Sequence, residues 1–90
     1  MQYIIKPRLG GDKMSQQEIE SLSEEIKLQR FKKKKTQEEC ANILHISIPT
    51  YKNIEDCPNK MNLDQAITLS KFLECNLLEF FLKSILHNAI

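Results

Sequence analysis

A string of helix starts constrains this chain more than any other feature. Ser15 with Glu18, Thr36 with Glu39, Asn62 with Gln65, and Asn76 with Glu79 each set a capping side chain three residues ahead of a Glu or Gln. In such a pair the first side chain accepts a hydrogen bond from the backbone N–H of the third helical residue. The Glu or Gln accepts in return from the cap's own N–H. Ser47 offers a fifth cap, and Pro49 suits the first turn behind it, where N–H groups have no helical partner. Five helices with short connections are therefore predicted, and the fold class is all-α, a compact five-helix bundle.

The apolar residues agree with that period. Ile19, Leu22 and Ile26 share one stripe, followed by Cys40, Ala41 and Leu44, then Tyr51 and Ile54, then Leu63, Ala66, Ile67, Phe72 and Leu73. Leu28 and Phe31 lie off the stripe of the first helix, a place for the N-terminal arm to cover or for a dimer contact. Residues 1–14 read differently. Gln2-Tyr3-Ile4-Ile5 is strand-like, and Pro7 and Gly10-Gly11 interrupt the chain before Ser15, so this stretch is an arm or short edge strand. The body runs over 15–82. Residues 83–90 extend the last helix, and its surplus of apolar residues (Phe80, Phe81, Leu82, Ile85, Leu86, Ile90) makes it a candidate dimer contact.

Charge is uneven rather than large. The formal net charge is only +1, yet Lys27, Arg30 and Lys32 to Lys35 put six positive charges between residues 27 and 35 with no negative one. Glu18, Glu20, Glu24 and Glu25 stand just before them. Cys40, Cys57 and Cys75 are widely spaced and odd in number, which fits neither a disulfide framework nor a zinc motif. Cys40 and Cys75 fall where apolar residues belong and read as small core residues. No metal or cofactor is expected. No paired carboxylates, nucleophile–base arrangement or phosphate-binding glycine loop is present, so an enzyme is not expected either. Without an apolar run of about 18 residues or a secretory leader, the expected location is cytoplasmic.

Residues 36–55, TQEECANILHISIPTYKNIE, make two helices separated by a tight turn. With Cys40, Ala41 and Leu44 lining the first, Ile46 in the turn, and Tyr51 and Ile54 facing back from the second, this reads as a helix-turn-helix. Ile48, Pro49, Lys52 and Asn53 then point outward, because positions four apart share a face. The same residues have plainer readings: Lys52 and Asn53 as ordinary surface, Ile48 as cover for the core, and the lysine run as a solvated face.

The stretch resembles the Cro and phage-repressor class of helix-turn-helix proteins, the XRE-like family. The resemblance rests on Thr36-Gln37-Glu38-Glu39, Ala41, Leu44, Ile46-Ser47, Thr50 and Ile54-Glu55, and extends over about residues 22–82. It implies a lambda-repressor-like domain that places its third helix in the major groove of double-stranded DNA. Gln37 would meet a phosphate at the start of the second helix. Ser47, Ile48, Pro49, Lys52 and Asn53 would face bases or flanking phosphates, and Asn59 and Lys60 would touch the backbone again. The cationic run, including Lys33 and Lys34, would add sequence-independent attraction. Where the family usually carries glycine, this chain has Lys34, His45, Cys57 and Glu74; a left-handed conformation there costs a non-glycine residue roughly 1–2 kcal/mol.

Two functions follow as expectations. One is a sequence-specific transcriptional regulator, a repressor binding a palindromic operator as a homodimer. The other is an antitoxin or similar interaction module, whose arm or C-terminal helix covers a small protein partner such as a toxin and which regulates its own synthesis through the same fold.

Overall fold

The computed structural model describes residues 14–79 together with 82 and 83, and every regular element among them is helical. In chain order these are α1 (Gln16–Lys32), α2 (Gln37–Leu44), α3 (Ile48–Asp56), a single 3₁₀ turn (Pro58–Lys60) and α4 (Leu63–Leu73). A fifth helix, α5, begins at residue 77 and includes 82 and 83. Apart from Met14, which is buried, the expected arm lies outside the described residues, as do 84–90 of the expected C-terminal extension.

The caps form as the sequence pattern requires. Ser15, Thr36 and Asn62 each close a reciprocal capping box, at 3.2, 3.0 and 2.8 Å from the N–H groups of Glu18, Glu39 and Gln65. Asn76 accepts from the Glu79 N–H at 3.2 Å, and Ser47 from the Thr50 N–H at 3.2 Å with Pro49 in the first turn. Each cap satisfies donors that the helix start would otherwise leave bare.

Among the described residues, backbone strain sits at helix ends. Lys34, His45 and Glu74 have φ of 57°, 58° and 53°, all left-handed and none of them glycine. Each closes the same C-terminal motif. The N–H groups of Lys35, Ile46 and Cys75 reach back to the carbonyls of Arg30, Ala41 and Ser70 at 3.0, 3.1 and 3.0 Å. Cys57, the fourth place where the resembling family usually carries glycine, is not left-handed, with φ −131° and ψ 73°. Pro58 follows it, and the residue before a proline is kept out of the helical region. Replacing exposed His45 by glycine is expected to stabilise the fold by about 1 kcal/mol, raising the melting temperature by roughly 4–8 °C. A thermal melt checks this, and Cys57→Gly, made where φ is negative, should show no such gain.

The core draws on every helix. Leu22 and Ile26 of α1, Cys40 and Ala41 of α2, and Tyr51 and Ile54 of α3 meet Met61, Ala66, Leu69, Leu73 and, from α5, Leu77. The short Ala41 side chain lies where α2 packs against both α3 and α4. Ile19, Leu44, Ile46, Phe72 and Cys75 pack at its edge. Leu63 departs from the expected stripe and is 52% exposed. It is the first residue of α4, and the buried face of that helix runs through Ala66, Leu69 and Leu73 instead, at helical spacing. Among the described residues no helix is long and apolar enough to cross a membrane.

Candidate functional site

The outward side of α3 is built by what its inward side holds. Tyr51, Ile54 and Glu55 face the body, at 0%, 5% and 1% exposure. Helical geometry then turns Ile48, Pro49, Lys52 and Asn53 away, and all four are exposed, Ile48 at 37%. Ser47 caps the helix, and its hydroxyl donates to Thr50 Oγ1 at 2.8 Å, so both hydroxyls stand at the same end as Ile48 and Pro49. The result is a short helix with two apolar groups, an ammonium and a carboxamide on one solvent-facing side.

Glu55 anchors that helix from behind, and the residue pattern had not singled it out for this role. Its carboxylate accepts Arg30 Nε at 2.7 Å and Arg30 Nη2 at 3.2 Å, the Tyr51 hydroxyl at 2.9 Å, and Gln37 Nε2 at 2.9 Å. Arg30 also donates through Nη1 to the Lys35 carbonyl at 3.1 Å, and the Ser23 hydroxyl donates to the Glu55 carbonyl oxygen. One buried carboxylate thus ties α3 to α1 and to the first residue of α2. The carboxylate raises the affinity of the Arg30 guanidinium for its proton. The clue in the sequence was spacing: Glu55 stands four residues after Tyr51 and one after Ile54, on the face that must go inward. A carboxylate carried into a core needs a cation, and Arg30 is the one within reach. The Tyr51 hydroxyl, expected at the core's edge, is instead buried on Glu55.

The other sequence-derived candidates fall into three groups. Gln37 is half-buried, with an amide hydrogen committed to Glu55. Lys34 and Lys60 are exposed, and Asn59 is half-buried with a side-chain oxygen that has no hydrogen-bond partner. Lys33, expected as a free cation, turns instead toward α4, 3.4 Å from Glu74. Lys35 likewise lies over the Phe72 ring, 4.8 Å from its centre. The lysine run is therefore divided: Lys32 and Lys34 face solvent, while Lys33 and Lys35 brace the connection between α1 and α2 against α4.

Burial raises the thiol pKa of Cys40 and, more strongly, the phenol pKa of Tyr51. Both groups hold their protons to higher pH in the folded chain than in the unfolded one, whose ordinary values are 9.0 and 10.0. Their contribution is therefore complete below pH 9, and stability falls as pH climbs beyond it. Urea unfolding between pH 8 and 11 should show that decline. Tyr51→Phe should flatten the part above pH 10.

No family model, no curated protein and no solved structure matches this chain.

Proposed function

We propose that the chain is a sequence-specific DNA-binding regulator in which α2, the turn at 45–47 and α3 act as a helix-turn-helix. The observation that carries this is the face of α3: four exposed side chains of mixed chemistry on a helix whose opposite face is locked to the body through Glu55. A rigid, short, outward helix of this kind fits the major groove, and its groups match base edges. Lys52 donates to guanine O6 or N7, Asn53 pairs with the adenine edge, and Ile48 and Pro49 meet thymine methyls. Gln37 and Ser47 face the phosphates at the two helix starts, with Asn59 and Lys60 on the backbone beyond α3. A homodimer would set two such helices about 34 Å apart, matching a palindromic operator, and occupancy of a promoter would be enough to repress it.

Selection from a pool of random duplexes at near-physiological salt tests this reading. A two-fold symmetric site with half-sites one turn apart is the expected enrichment. Retention of all sequences alike, and only at low salt, would sink it.

Leu63 and Leu82, 52% and 56% exposed, favour a second reading as a protein-interaction module such as an antitoxin. Co-purification of one stoichiometric small protein from the native host, lost on Leu63→Asp, would support that role. The two functions are compatible.

A further inference from the structure

One apolar surface plays no part in the reading above. Phe31, in the last turn of α1, is 79% exposed, and Leu28, one turn earlier, is 46% exposed. Together they wall an open cleft of about 600 Å³ between α1 and α3, which Gln37 and Lys52 also line. A ring left this bare offers a partner apolar area to bury, and its setting narrows what that partner can be. Phe31 stands within the six cations of residues 27–35, and exposed Lys32 and Lys34 follow it in the chain. Within the cleft, Lys27 neutralises Asp56 at 3.0 Å and Arg30 neutralises Glu55. Glu24 lies two turns from Phe31 along α1, so the Phe31 end of the cleft is the end suited to an anion.

We propose that the C-terminal end of α1 and the turn after it make their own, sequence-independent contact with duplex DNA. Phe31 packs on the sugar edge of a backbone, and Lys32 and Lys34 meet the adjoining phosphates. This rests on the DNA-binding reading, and it extends the contact surface from α3 across Lys52 and Gln37 to α1. The contact has two parts with different physics. Apolar packing on deoxyribose is insensitive to salt, whereas each lysine on a phosphate adds about 0.9 to the slope of log affinity against log salt.

Binding of wild type, Phe31→Ala and Lys32→Gln to the selected duplex and to unrelated duplexes, across a salt series, tests the proposal. Phe31→Ala should weaken binding about tenfold on all sequences alike, with the salt slope and the melting temperature unchanged. Lys32→Gln should lower the slope by about one. Binding by Phe31→Ala equal to wild type overturns the proposal while leaving the role of α3 intact. A loss that follows a lowered melting temperature also overturns it, since the ring would then serve the fold. If wild type itself retains no duplex, the reading of α3 fails and this contact fails with it.

Discussion

Replacing Glu55 by alanine is expected to cost about 3–5 kcal/mol of folding stability, a large share of what a small domain has. The loss is not that of one ion pair. Glu55→Ala strands the Arg30 guanidinium, the Tyr51 hydroxyl and the Gln37 amide together, and a buried polar group without its partner is far more costly than an exposed pair. Arg30 keeps some access to water, which places the expectation toward the lower end of that range. Asp56→Ala is the comparison. Its link to Lys27 is solvent-exposed at both ends and should cost less than about 1 kcal/mol. Urea midpoints for the two variants, with unchanged slopes, measure the contrast directly. Equal, small losses would mean that the convergence on Glu55 adds nothing beyond a surface ion pair. Glu55→Gln should fall between them, since an amide of the same shape keeps an acceptor for Arg30 but loses the charge.

The second large effect belongs to binding. On a selected operator, Lys52→Ala and Asn53→Ala should each lose about 1–3 kcal/mol of discrimination at one base position per half-site, close to tenfold or more in relative affinity. Affinity for unrelated sequences should fall much less, and neither variant should melt differently from wild type, because both side chains are exposed. Lys34→Gln should do the opposite, weakening every sequence by a similar factor and reducing the salt slope. Lys33→Gln should do neither to the same degree, since that ammonium is directed to Glu74. Binding titrations against single-base variants of the operator separate these patterns. A uniform loss across all variants for Lys52→Ala and Asn53→Ala would remove them from base recognition.

Much of the helical frame was legible because its determinants are local. A cap at Thr36 depends only on residues three apart, and so does its partner Glu39, so both could be read without knowing the fold. The outward face of α3 was legible for a related reason: once Tyr51 and Ile54 go inward, helical geometry decides the rest. What stayed hidden depends on meetings between distant residues. The carboxylate of Glu55 gathers donors from positions 30, 37 and 51, and no short window holds them all. Lys33 and Lys35 looked like the rest of a basic run, and only the position of α4 gives Glu74 and Phe72 to them. Met61, between two helices, is fully buried although it belongs to no periodic stripe.

The division of labour within α3 has a consequence for how such a chain can change. Residues 51, 54 and 55 hold the helix in place, while 48, 49, 52 and 53 contribute little to holding it. The outward four can therefore be rewritten almost without regard to the inward three. On the proposed DNA-binding reading, a chain built this way would drift from one target to another through viable intermediates, each still folded, because preference would be carried on side chains that the fold does not need.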